Sequence, residues 1–163
     1  MPESPKPELP TKYFTVEEAN LTLPLVRAIV ADIVRQYAEI RERKERLEQL
    51  RKAKRAPQRE SDAFYADELA HIEEELERES ETLQGYIKEL EKIGVELKDL
   101  SIGLIDFRAR MDGRDVYLCW KLGEDDISHW HELEAGFQGR QSLFAGSLEG
   151  RAQPGEPQHP ETP

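Results

Sequence analysis

The sequence predicts an α+β fold: a long antiparallel helical hairpin of coiled-coil character, then a small three-stranded antiparallel β-meander and a short C-terminal helix. Three observations predict it. Apolar residues recur every three or four positions from Leu23 to Leu50 and again from Tyr65 to Ile93, the period of a helix with one buried face. After Gly94 the period drops to two, as in half-buried strands. The 163 residues are 35% charged and 37% apolar, a balance that suits long exposed helices better than a compact globule.

Residues 1–12 hold four prolines and are expected to be disordered. Thr15 is a good N-cap, and Glu18 three residues on completes a capping box. Phe14, just before the cap, can staple back onto the first turn. This opening helix is expected to be short. Thr22 and Pro24 mark a second start, because proline suits a first turn and not an interior. The stripe then runs Leu23, Val26, Val30, Ile33, Tyr37, Ile40, Leu47 and Leu50 or Arg51, with Lys44 as a polar break. Ala56-Pro57-Gln58 interrupts it. The second helix, capped by Ser61 or Asp62, buries Tyr65, Leu69, Ile72, Leu76, Leu83, Tyr86, Ile87, Leu90 and Ile93 and stops at Gly94. Two stripes of nearly equal length, joined by a few residues, form an antiparallel pair.

Charge supports the pairing. Pro24 to Arg55 holds ten basic and five acidic residues, +5, while Glu60 to Ile93 holds three basic and twelve acidic, −9. Exposed ion pairs are each worth a few tenths of a kcal/mol, so they select the partner while the stripe supplies stability. Apolar flanks left by two facing stripes are a place for a second copy, so a homodimer or a protein partner is expected.

Val95-Glu96-Leu97-Lys98 alternates as a strand, and Ser101-Ile102-Gly103 turns the chain. Ile105, Phe107 and Ala109 share one face of the next strand. Asp112-Gly113 is a two-residue hairpin signal. On the returning strand Val116, Leu118, Trp120 and Leu122 face one way, and Tyr117, Cys119 and Lys121 the other. Asp126 or Ser128 is expected to cap a helix from Ile127 to Ala135, closed by Gly136, with Trp130, Leu133 and Phe137 packed on the sheet. From about Gly146 the composition again reads as disordered. One domain thus spans 13–145, with the hairpin at 13–94 and the meander and short helix at 95–145.

Net charge is −11, which argues against general affinity for nucleic acid or anionic membrane. One cysteine forms no intramolecular disulfide, the N-terminus resembles no signal peptide, and no stretch approaches the ~18 apolar residues of a membrane span. A cytoplasmic protein is expected.

The chemistry-bearing residues gather between Gly103 and Gln141, which holds both tryptophans, the cysteine and two of the four histidines. His129, His131, Glu132 and Glu134 are crowded together. On a helix His129 with Glu132, and His131 with Glu134, form i, i+3 pairs that can chelate a divalent ion. On a strand His129 and His131 share a face instead. Asp106, Cys119 and Glu124 are further donors, so the candidate metal ligands are His131, Glu132, Glu124, His129 and Cys119, for zinc, iron or manganese. The spacing matches neither a zinc finger nor a zincin. Cys119 in mid-strand reads as a small buried hydrophobe. Arg140 can bind a phosphate or carboxylate bidentately, or be held by Asp106, Glu124 or Glu132. A small-ligand site is expected around His131, Glu132, Arg140 and Asp106.

Several stretches together resemble a known family. They are Tyr13-Phe14-Thr15-Val16-Glu17-Glu18-Ala19-Asn20 with Leu23-Pro24, Gly94-Val95-Glu96-Leu97-Lys98-Asp99, Gly103-Leu104-Ile105-Asp106-Phe107, Val116-Tyr117-Leu118-Cys119-Trp120, and Trp130-His131-Glu132 with Gly136-Phe137 and Gly139-Arg140. They are similar to an uncharacterised bacterial family, the domain of unknown function numbered twenty-two-oh-three. The resemblance implies that Asp106, Cys119, Trp120, Glu124, His131, Glu132 and Arg140 occupy signature positions, and it brings no activity. His129 lies outside that pattern. The functional expectation is a non-enzymatic binding or interaction protein that uses its hairpin for self-association or docking. The alternative is a metal-binding protein or metal-dependent enzyme with a site around His131 and Glu132.

Overall fold

Thr15 opens the first helix as the capping motif requires, its Oγ1 accepting the Glu18 backbone N–H at 3.0 Å. In the computed structural model, which describes residues 11–54 and 62–144, helix α1 (Val16–Lys54) then runs unbroken for 39 residues, about 58 Å at ~1.5 Å per residue. The second start expected at Thr22 and Pro24 is therefore corrected, since Pro24 lies inside α1. A proline inside a helix removes one hydrogen bond and crowds the preceding turn. Here that turn is exposed at Pro24, while Ala19, Leu23 and Val26 beside it are buried at 0%, 3% and 0%. Burial of that stripe holds the helix through the defect. The disorder expected for 1–12 and 146–163, and the break at Ala56-Pro57-Gln58, fall outside the described residues, apart from Thr11 and Lys12.

Helix α2 (Asp62–Ile93) returns antiparallel to α1. Arg43, not Lys44, fills the polar break in the seam: it donates to Glu79 at 2.7 Å and to Glu75, and Lys44 is exposed. Arg46–Glu68 and Arg51–Glu73 add pairs at 3.2 and 3.1 Å. Gly94 ends α2 with φ 96°, a backbone that glycine adopts without strain.

The sheet is larger than expected. Strands β1 (Val95–Asp99), β2 (Leu104–Met111), β3 (Arg114–Lys121), β4 (His129–Glu132) and β5 (Gln141–Ser142) form one antiparallel meander in chain order. Asp112 and Gly113, φ 50° and 76°, make the expected β2–β3 turn. The helix expected from Ile127 to Ala135 is replaced by β4, which pairs Cys119↔His129, Leu118↔Trp130 and Tyr117↔His131. Two forces favour the strand. It satisfies the open backbone edge of β3, and an isolated short helix is marginal in water. Trp130 is still buried, but Leu133 and Phe137 lie 41% and 37% exposed, because the chain leaves the sheet after Glu132 through a turn and one 3-10 turn (Phe137–Gly139).

One face of the sheet packs on the base of the hairpin. Ile105, Phe107, Val116, Leu118 and Trp120 meet Val26, Val30, Ile33 and Leu90 there. Phe14 stacks edge-on against Phe107, with ring centroids 5.1 Å apart. Among the described residues, no helix is long and apolar enough to cross a membrane.

Candidate functional site

Alternation puts every second residue of β2, β3 and β4 on the face turned away from the helices. That face carries Asp106 and Arg108, Tyr117 and Cys119, and His129 and His131. A sheet face with no layer over it is expected to be wet, yet Asp106, Cys119 and His131 are only 2%, 1% and 2% exposed. Among the described residues, Asp106 and His131 are the buried polar ones.

The register explains their meeting. Asp106 lies opposite Cys119, and His131, one strand further and opposite Tyr117, reaches diagonally back toward Asp106. Its Nε2 lies 3.0 Å from both carboxylate oxygens. One donor atom from each of Asp106, Cys119 and His131 lies within 4.8 Å of the others.

His131 Nδ1 is 2.7 Å from the Glu132 carbonyl oxygen. A carbonyl only accepts, so Nδ1 carries a hydrogen and donates it. Nε2 is thus the nitrogen turned toward the carboxyl group. Either Nε2 is protonated and donates to a carboxylate, or Asp106 is protonated and donates to Nε2, so one proton is held between them. Burial raises the Asp106 carboxyl above its ordinary value, against the opposing pull of its hydrogen bond to His131. Burial, and then the nearby Asp106 charge, push the Cys119 thiol up to about 12. As a free group this thiol is no nucleophile at neutral pH.

Tyr117 forms the cover. Its ring tilts against His131 with centroids 5.4 Å apart, and its hydroxyl donates to Glu96 at 3.0 Å. Lys98 Nζ and Arg108 Cζ each sit 4.9 Å from the Tyr117 ring centre. Burial, followed by the hydrogen bond to Glu96, raises the Tyr117 hydroxyl to about 12.

A second polar group adjoins the first. Glu124 Oε1 accepts Arg140 at 2.6 Å and the Lys121 backbone N–H at 2.8 Å. Its Oε2 is 3.9 Å from His129 Nδ1, which also meets Ser128 Oγ at 2.9 Å. Burial works against ionisation of Glu124, but the Arg140 and Lys121 hydrogen bonds hold its carboxyl below the usual value. Arg140 stacks on Phe137, 4.9 Å from the ring centre. Beside this group a groove of about 790 Å³ opens between Val16, Asn20, the 123–128 loop, Leu143 and Phe144.

The structure thus divides the residues singled out in the sequence. Asp106, Cys119 and His131 come together, and Glu124, His129 and Arg140 form the adjoining group. Glu132 joins neither. On a strand it points opposite to His131, where it pairs with Arg114 at 2.8 Å, so the helical pairs His129–Glu132 and His131–Glu134 do not form. The covering residues Tyr117, Glu96, Lys98 and Arg108 were missed as site residues. Their signal was a charged Asp106 inside the apolar run Leu104-Ile105-Asp106-Phe107, which called for polar neighbours on the same face.

An α+β hairpin-and-sheet protein with a buried Asp–Cys–His cluster is the class that fold and site define. A family model described as "Uncharacterized conserved protein (DUF2203)" matches residues 12–143, and the chain belongs to that family. No curated protein and no solved structure matches it.

Proposed function

We propose that this chain binds a divalent transition-metal ion between Asp106, Cys119 and His131. The observation that carries the reading is the buried meeting of a carboxylate, a thiol and an imidazole within 4.8 Å. Around a tetrahedral zinc-sized ion, neighbouring N, O and S donors lie about 3.4–3.6 Å apart, so small side-chain movements suffice. The bond from His131 Nδ1 to the Glu132 carbonyl is the outer-shell contact that turns a ligating histidine toward its ion. Thiolate and imidazole together favour zinc or ferrous iron over magnesium or calcium. An ion displaces the shared proton and ionises Cys119, so two negative ligands balance its charge. A thiol ligand stays reduced in the cytoplasm, where the protein is proposed to work.

Elemental analysis of protein purified without an affinity tag tests this. About one ion per chain is expected, lost in His131→Ala and in Asp106→Ala. A trace of metal that does not change in either variant overturns it.

A second reading, self-association through the hairpin, has its own support. Beyond the sheet, among the described residues, the seam buries Ile40, Leu47 and Ile72 at 4%, 8% and 5% exposure, whereas Leu50, Leu69 and Leu76 are only partly buried. Two helices without a third layer leave apolar flanks that another helix pair can cover. Light scattering on the full chain tests it: a mass of twice 18.8 kDa is expected, and a monomer at every concentration refutes it.

A further inference from the structure

The three donor groups of the cluster are walled in. Asp106, Cys119 and His131 are buried, and the groove beside Glu124 has none of them in its lining. An ion that binds there needs a way in. The strand order shows what lies over the cluster. Tyr117 is on β3, and Glu96, which accepts its hydroxyl at 3.0 Å, is on β1. Strand β2 runs between them, so β1 and β3 stand ~10 Å apart. Glu96 lies directly opposite Asp106. To reach Glu96 the Tyr117 side chain must therefore cross β2 beside Asp106, and His131 lies against its ring on the way.

The ring is held at its tip, and the tip is at the surface. The Glu96 side chain is 41% exposed and also pairs with Lys98 at 3.3 Å, and Lys98 is itself exposed. Lys98 and Arg108 add attraction to the ring face. Beneath the ring, by contrast, Asp106, Cys119 and His131 are fixed by the backbone ladders of β2, β3 and β4. We propose that Tyr117 is a hinged cover latched by Glu96. Rotation about its side-chain bonds breaks the hydrogen bond to Glu96, swings the ring off Asp106 and His131, and opens the path by which an ion enters and leaves. Passage of an ion rests on the metal reading above, whereas movement of the cover does not.

Two rates on the full chain test this. In metal-free protein a disulfide reagent reports exposure of Cys119, whose sulfur lies within 4.8 Å of the other donor atoms. In zinc-loaded protein an excess of chelator reports release of the ion. Tyr117→Phe keeps the ring and removes the hydroxyl, and Glu96→Ala removes the acceptor. Each is expected to raise both rates at least fivefold, since each frees the ring of a hydrogen bond to a charged group. Glu96→Gln keeps an acceptor and is expected to stay closer to wild type than Glu96→Ala. Sub-denaturing urea separates an opened cover from a weakened fold. Local opening exposes little surface, so its labelling rate stays flat as urea rises, whereas labelling through global unfolding climbs. Labelling that is unchanged in both variants, or that climbs with urea, overturns the cover. Faster labelling with unchanged zinc release overturns the passage of the ion beneath it. A wild type that binds no zinc overturns the metal reading and the passage together, and the labelling rates alone then decide the cover.

Discussion

Replacing Asp106 with Asn separates a buried titrating group from a merely buried polar one. Asn keeps the size and one acceptor and removes the titration. In metal-free protein the folded Asp106 holds its proton above the ordinary carboxylate value of 3.8. The unfolded chain releases that proton near 3.8. Between 3.8 and the raised value the folded state binds more protons than the unfolded one, so stability falls as pH rises. The contribution is fully present below 3.8 and is lost as pH passes through the folded value. One proton sets the steepest slope, about 1.4 kcal/mol per pH unit. The Asn variant lacks this term, and titrations remote from Asp106 cancel in the difference between the two proteins. Urea unfolding of chelator-treated protein across a pH series therefore gives a wild-type advantage that shrinks with rising pH through this window. A difference that is flat, or that grows with pH, refutes the buried-proton account. Zinc added near neutral pH provides the second arm. At a hundredfold excess over its dissociation constant it is expected to stabilise wild type by about 2.7 kcal/mol, and the Asn variant by much less.

Two further outcomes are expected. With the Cys119 thiol at about 12, the thiolate fraction near pH 8 is roughly a thousandfold below that of a free cysteine. A disulfide reagent should label native protein slowly and urea-unfolded protein at once, and native labelling within tenfold of a free thiol contradicts the burial. At Gly103, φ is 70° and an added Cβ would sit 2.8 Å from Val30 Cγ1 and Leu122 Cβ. Left-handed strain and overpacking together make Gly103→Ala cost about 2–4 kcal/mol, read as a shift in the urea midpoint at constant slope.

Local signals made most of the fold legible. The cap at Thr15, the two stripes, the stop at Gly94 and the Asp112-Gly113 turn are each encoded within a few residues, and each stands where the sequence predicts it. The errors came where a non-local partner overrode a local preference. Pro24 reads as a helix start until the buried stripe beside it is counted. Ile127 to Ala135 reads as a capped helix because nothing nearby reveals the open edge of β3. That error carried into the site. A helix pairs His131 with Glu134, and a strand turns Glu132 away from His131. The alternation reading, which put His129 and His131 on one face, was already available and needed only the tertiary partner to select it. The meeting of Asp106 with His131 was not legible. It depends on the registers of two strand pairs that no single stretch specifies.

The fold alone does not account for the Asp–Cys–His cluster. The opposite face of the sheet already supplies the core, through Phe107, Leu118 and Trp120. An apolar residue at Asp106 and another at His131 would cover β2 and β4 without a desolvation cost, and exchanging a buried ion pair for well-packed apolar groups is often neutral or stabilising. Instead the chain buries a carboxyl and an imidazole and sets a thiol beside them. It then places Tyr117, with Lys98 and Arg108 over its ring, on top. A hydrogen-bonded pair by itself needs no thiol, and a thiol by itself needs no charged neighbours. A bound transition-metal ion would use all three: the carboxylate and the thiolate for charge, the imidazole for a neutral donor, and the cover to keep water from competing. The burial of that set on the face that contributes least to the core is the strongest reason to look for an ion there.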